Sequence, residues 1–599
     1  MLGTNLNFRT YIGYLELFGE RVPISGIKKR LRAFKLSNIV GELAWINTLL
    51  TISLHDDKKL RKVQGLLVAN LIDDEILDTL KRKFGPEMME QRPVFFPQQI
   101  LTLLRVSLLV CTEDASLIAD GKTEAGYTLG RCCLMITDHL LSKKQERAIA
   151  EGTNAKQRKH LGLQTAPTRE LNNPTELQRA VVRTEIMFAD LLKSNRATIK
   201  KKLQGFDLSN EFRRAAGLSL SRYCDLAFVT YAYYDSKEPQ EFIQSDGACA
   251  INRSSYIAGG AVSKKDLDAF LSLDSIRLQD LPMAIKATRK VLPPLDFTVF
   301  RRQPMIEFPG GNLMCVNPSF LLEKLSTGVN WTIVNSFGAN KEKSGKALEA
   351  FGLLFELYVD RLMQQIYPSR MGHFNSFPHF ANGNEAFDGT LCLGDHLIVF
   401  EYKGGGLTLE AKYSGKMTVF EHDLDKKFGI GEDDKDGGVL QLARKIELLF
   451  HIDRSRRYRI PNLDRLISKV TKITPVLIVQ EPFLRGDFLN WMLNCRFKRL
   501  IQKRKVKSIE IAPLQVIDIE SLERLKPNLI ARDFSLDQCL NARACDDPDV
   551  IYSFNTFPWK KYFPSFGMRE DEEVTERSEA IFSRVRKTIF GSIAAQTTP

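Results

Sequence analysis

The sequence lacks any uncharged apolar run long enough for a membrane. A span needs roughly 18 such residues, and the nearest stretch, 100–111, is interrupted by Arg105. No membrane partner is expected. Its ten cysteines include no CxxC pair, only Cys132 and Cys133 are adjacent, and its eight histidines form neither HxxxH nor HExxH. Zinc-finger spacing and a zinc-hydrolase helix are thereby excluded, and the thiols are expected to be reduced and buried. There is no repeat period, so a solenoid is not supported. The first twenty residues show no cationic segment followed by an apolar run; nothing addresses the chain for secretion, and the cytosol is the expected compartment. With 44% hydrophobic residues and 37 Phe, the bulk of the chain is not disordered.

The chain is 599 residues long, which sets a prior of about three to four domains. Lys and Arg number 85 against 72 Asp and Glu, a net charge of +13. That balance favours a polyanionic partner without identifying one, and it also fits a mildly basic housekeeping protein. From 37 to 290 the apolar residues recur mostly at three and four, as in 72–83, 176–193 and 219–234, the spacing of amphipathic helices. A polar stretch with Gly152, Gly162 and Pro167 interrupts this region over 142–173 and reads as a mobile insertion. Near 297–316 two β-type runs flank Pro309-Gly310-Gly311-Asn312, a hairpin signal. Beyond it a helix over 345–367, strands at 386–393 and 396–403, a helix at 439–450, a strand at 475–480, a helix at 488–501 and a strand near 509–519 alternate. The predicted fold is multidomain: an α-helical N-terminal region (1–290), a β-hairpin connector (291–335), an α/β domain with a mixed central sheet (336–535), and a C-terminal extension (536–599) with a helix near 576–589.

The chemistry concentrates on one hairpin. Leu393-Gly394-Asp395-His396 places Gly at the first position of a two-residue loop, where a type II′ turn demands φ > 0. Leu393 then pairs with His396, Leu391 with Ile398 and Gly389 with Phe400, and Asp388 falls opposite Glu401 with Cβ atoms ~5 Å apart. Lys403 shares that face. The strand Leu397-Ile398-Val399-Phe400 is apolar on both faces, as a central strand is. Two carboxylates at its end repel unless a positive charge sits between them. Hard oxygen donors without nearby Cys or His suit Mg²⁺, with Mn²⁺ as a substitute. A metal-activated water, with Lys403 orienting it and screening phosphoryl charge, points to phosphodiester hydrolysis. The competing reading is a cross-strand salt bridge, ordinary on an edge strand but not on one apolar on both faces.

Asp388, then Glu401-Tyr402-Lys403 on a hairpin after a helix, resembles the PD-(D/E)XK nucleases, the restriction-endonuclease-like superfamily, over roughly 345–519. Phe387 stands where the family name has proline. The resemblance implies a restriction-endonuclease-like α/β domain and an Mg²⁺-dependent nuclease with Asp388, Glu401 and Lys403 as its catalytic set. Many members carry a Glu on the preceding helix, here Glu356, which joins Asp388 and Glu401 as a metal ligand; its alternative is a helix-edge Glu reaching water. Members also often place a Gln on the next helix, here Gln441, whose alternative is a solvated helix residue.

Two basic segments are candidates for phosphate contact. One is 454–459, with Arg456, Arg457 and Arg459. The other, 496–507, holds seven Lys or Arg and no acid, including Lys503, Arg504, Lys505 and Lys507. Gly338 to Lys346 imitates a phosphate-binding loop, but six residues separate its glycines and Ala347 replaces the Ser or Thr. Asp423-Leu424-Asp425 begins like a calcium loop, yet Phe428 occupies the glycine position. The expected function is a nuclease acting on nucleic acid, DNA first, by analogy a restriction or anti-phage defence effector. Cutting both strands with one site per chain favours a homo-oligomer, and the helical region is a place for control by a regulatory partner. The alternatives are a non-catalytic module that binds nucleic acid or protein, and a nuclease of DNA repair or RNA turnover.

Overall fold

The computed structural model describes residues 11–54, 56–118, 122–140, 163, 166–167, 170–171, 176–235, 250–257, 262–289, 296–368, 373–432, 436–450, 456–461, 463–504, 506, 509–544, 554 and 557–590. The first half is helical, as the apolar spacing predicts. Its central helices, α1 (Leu36–Ser53) and α2 (Pro97–Val110), are buried around most of their circumference and pack on one another. Farther along this half come α3 (Arg196–Lys202), α4 (Leu208–Ala216) and α5 (Leu220–Asp235).

The predicted hairpin at 297–316 is present, but it is not a connector. Strands β1 (Ile251–Asn252), β2 (Ser275–Arg277), β3 (Met305–Glu307) and β4 (Asn312–Cys315) form one sheet in the order β1-β4-β3-β2. On α1, the buried Asn47 Nδ2 donates to the Val316 carbonyl at 2.7 Å and Thr48 Oγ1 to that of Cys315 at 2.9 Å, which ties the helix to the end of β4. Polar side chains on a buried helix face need such partners.

After α6 (Val329–Ser336) comes α7 (Lys341–Ile366), which starts four residues earlier than the apolar pattern predicts because Asn340 caps it, accepting the Lys343 N–H at 3.0 Å. The second sheet is six-stranded. It is built from β5 (Phe374–Ser376), β6 (Gly389–Leu393), β7 (His396–Lys403), β8 (Lys472–Val479), β9 (Glu510–Ile511) and β10 (Gln515–Asp518), in the order β10-β8-β7-β6-β5 with β9 also beside β8. The predicted β6–β7 register holds from Leu393↔His396 to Gly389↔Phe400, and Gly394 has φ +67. Strand β7 is antiparallel to β6 and parallel to β8 along all of its length. It is the central strand, buried from His396 to Tyr402.

Alternate residues of this sheet feed two cores. Leu391, Ile398, Phe400, Tyr402 and Ile478 join a core that runs from Ile12 through the helical half and α7 to Val585. Leu397, Val399, Leu477 and Val479 join the second, with α8 (Gly438–Phe450) and α9 (Asp487–Lys503). Helix α10 (Ile519–Ala531) and α11 (Glu572–Phe590) close the first core, where Glu573 of α11 accepts from Arg361 at 2.6 Å, Gln365 at 2.9 Å and Lys526 at 3.0 Å. The helical half and one face of the α/β sheet therefore share a single interior.

The described residues of the 142–173 stretch are packed. Leu163 and Ala166 enter the second core. Glu170 pairs with Arg301 at 2.8 Å and accepts from the Tyr413 hydroxyl at 2.6 Å; Arg301 also pairs with Glu323, and Lys412 lies 2.8 Å from Glu481. The rest of that stretch lies outside the described residues. Of the eight described cysteines all but Cys495 are buried, and no described helix is long and apolar enough to cross a membrane.

Candidate active site

Period-two alternation sends Tyr402 to the first core and Glu401 and Lys403 to the opposite side, toward α8. Helix α8 begins close to that side. A Cβ added to Gly438 would stand 2.8 Å from Leu477 Cδ1 and 3.2 Å from Lys403 Cε, so a larger residue there would have to push these side-chain ends aside. One turn in, Gln441 Oε1 accepts from Lys403 Nζ at 2.6 Å, and the same ammonium donates to Glu401 Oε1 at 2.7 Å. The second oxygen of Glu401 accepts from Lys445 Nζ at 3.2 Å, and Lys445 also lies 3.8 Å from Glu385. Lys445 is absent from the sequence-derived site. Its signal was there: four residues after Gln441, it must share that helix face.

Asp388 stands just before β6, with only 4% of its surface exposed. The ladder stops at Gly389↔Phe400; Asp388 donates its N–H to the Phe400 carbonyl at 3.1 Å, and its carboxylate turns back to accept the Tyr402 N–H at 2.5 Å. Burial pushes this carboxyl well above its ordinary value, Glu401 adds to the effect, and Lys403 and Lys445 oppose it. Burial would raise Glu401 too, but the Lys403 and Lys445 ammoniums outweigh it and hold that carboxyl low. Lys403 stays charged: burial opposes its charge, and Glu401 and Asp388 overcome that opposition. Glu356 on α7 is pushed up to about 7, first by burial, with Glu385 and Glu401 adding and Lys403 and Lys202 opposing.

Five of the residues expected from the sequence thus form one electrostatic neighbourhood at the end of β7: Asp388, Glu401, Lys403, Gln441 and Glu356. Mg²⁺ is bound through one or two carboxylates with water and phosphate oxygens completing its shell. Asp388 and Glu401 supply that number in oxygen chemistry that fits it, and the charge of Asp388 is the one burial leaves least compensated. Among the described residues no group of three or more His, Cys, Asp or Glu is arranged to hold a metal ion.

The basic segments fall differently. Arg457 and Arg459 are exposed, and their carbonyls accept from Asn382 and Ala381, which sets them beside the loop leading into Asp388. The Arg456 side chain lies outside the described residues, as do Lys505 and Lys507. Lys503 is exposed at the end of α9, while Arg504 is held by Glu447 at 2.7 Å and Arg496 by Asp425. That run leads to Glu510, which pairs with Lys472, itself paired with His396 at the start of β7. At 3.3 Å per residue, His396 is about 23 Å from Lys403. Lys503 and Arg504 therefore lie toward the opposite end of the sheet from the carboxylates. The chain matches no protein-family model, no curated protein and no solved structure.

Proposed function

We propose that this chain is a metal-dependent nuclease of the PD-(D/E)XK type, acting in the cytosol on nucleic acid, with DNA as the first substrate to test. The observation that carries the reading is the pair of buried carboxylates, Asp388 and Glu401, at the end of a central strand, with the half-buried Lys403 held between Glu401 and Gln441. Two buried carboxylates held side by side are costly, and such clusters mark sites that do chemistry.

Asp388 and Glu401 would hold Mg²⁺ or Mn²⁺, which when bound polarises a phosphate oxygen and lowers the pKa of water. Lys403 keeps its charge and directs it at developing phosphoryl charge. Gln441 and Glu401 fix the direction of that ammonium. Hydrolysis forms a bond from water oxygen to phosphorus as the ester P–O bond breaks, and the water proton needs an acceptor. Glu356, pushed up to about 7, is matched to that role at neutral pH.

A second reading draws on one observation: both oxygens of Glu401 are engaged by ammoniums, as in a satisfied ion-pair cluster within a module that only binds nucleic acid or protein. Incubating the purified chain with supercoiled plasmid, linear duplex, single strand and RNA, in Mg²⁺, Mn²⁺ or chelator, separates the two. Cleavage that needs metal and disappears in Lys403→Ala supports the nuclease; binding without cleavage in every arm supports the module. A restriction or defence role rests on analogy, and equal phage plating on hosts expressing wild type and Lys403→Ala removes it in favour of repair or turnover.

A further inference from the structure

The helical half carries a basic surface that reaches the candidate site. Residues 193–214 contain seven Lys or Arg and two acids, and both acids are consumed: Asp207 by Arg196 at 2.6 Å and Glu211 by Arg214 at 2.5 Å. What is left over includes Lys200, Lys201 and Lys202, exposed on the last turn of α3. Two ring contacts place that helix. Upstream, Phe188 packs on Phe351 of α7 at 5.7 Å, and downstream, Phe206 packs on Phe337 ahead of α7 at 6.2 Å. The segment holding α3 therefore runs alongside the first half of α7. The N-terminal end of α7 adds exposed Lys341 and Lys343, and Lys343 and Arg214 wall a surface hollow of about 300 Å³ over Phe337. Lys202, four residues before Phe206, also acts on Glu356 farther along α7.

We propose that Lys200, Lys201 and Lys202 of α3, with Lys341 and Lys343 of α7, form a phosphate-binding track that leads a nucleic-acid strand to the Asp388–Glu401–Lys403 end of the sheet. The proposal rests on the nuclease reading for what happens at the end of the track. From Lys343 to Glu356 the helix advances about 20 Å, enough for about six phosphates of one strand at 3.4 Å each. Exposed ammoniums on a preformed helix face contact phosphate without reading sequence. The helical half is then part of the substrate grip.

The test is binding of labelled single-stranded and duplex DNA and of RNA to the full chain in chelator, by fluorescence anisotropy across a salt series. Each phosphate contact contributes roughly 0.7 to 0.9 to the slope of log affinity against log salt, so Lys200→Ala/Lys201→Ala/Lys202→Ala is expected to flatten it by about 2. Replacing exposed Arg465 and Lys469 with Ala, toward the His396 end of the sheet, is expected to leave the slope within about 0.5 of wild type. The nucleic acid that shows the larger difference between the variants identifies the strand the track holds. Equal flattening in both variants, an unchanged slope in the α3 variant, or no binding by the wild type overturns the track. Cleavage in Mg²⁺ with an unchanged α3 slope leaves the nuclease and removes the track; a flattened slope without cleavage under any metal does the reverse.

Discussion

Asp388 brings a carboxylate into a buried position beside Glu401, with the Tyr402 N–H as its donor. Asp388→Asn keeps an acceptor for that N–H and removes the charge that burial opposes. It is expected to raise stability by about 1 kcal/mol or more and to abolish cleavage, read by thermal unfolding and a plasmid assay on the same preparation. A destabilised variant would mean that the carboxylate is not under strain. Lys445 holds Glu401 low from α8. Removing a positive neighbour raises a carboxyl pKa, so Lys445→Gln should move the acid limb of the pH–rate profile to higher pH, whereas Lys403→Ala should leave no rate to profile. An acid limb that stays in place would take Lys445 out of the site. Asp388, Glu401 and Lys403 were legible because one turn glycine fixes which residues oppose each other. Lys445 was missed because Lys on a helix is ordinarily solvated, and only the close approach of α8 at Gly438 brings it inward.

Among the elements, the hairpin and α7, α8 and α9 were legible because each has a clear period and an identifiable start. Strand β5 was not, since three residues carry no period and its partner β6 supplies the register. The two-strand reading of 297–316 found β3 and β4 but not their neighbours β1 and β2, which are too short to signal themselves. Helix α11 offers a test of how an element is pinned. Its Glu573 is lowered to about 2 from 4.5: burial works against the charge, and Lys526, Gln365 and Arg361 outweigh it. The folded value lies below the unfolded one, so the stabilisation is full above pH 4.5 and is lost as pH falls through 2. Allowing for partial exposure, it is worth about 1–2 kcal/mol. Glu573→Gln should be less stable than wild type by that amount at pH 7 in urea, with the gap closing toward pH 2; a constant gap would mean that packing and not charge pins α11.

For the whole molecule, one apolar core runs across the expected boundaries at 290 and 336. Sequence periodicity shows which face of an element is apolar but not which distant element covers it, so the core from Ile12 to Val585 could not be read in advance. Circular dichroism and tryptophan fluorescence should report one unfolding midpoint, and a chain starting near residue 297 should fail to fold; two separated transitions would restore the division. Arg301 sits where the halves meet, between Glu170 and Glu323. Arg301→Met leaves those acids buried with less compensation and should cost about 3–5 kcal/mol, measured by urea denaturation; a cost under 1 kcal/mol would make the cluster incidental. The shared core also sets an order of events during synthesis. Helix α11 seals the interior that Phe400 and Tyr402 enter, yet it leaves the ribosome after them. At roughly 5–20 residues per second, the hairpin bearing Asp388 and Lys403 waits about 10–40 seconds for that helix, so the growing chain carries its charged residues for a time without the fold that would set them against each other.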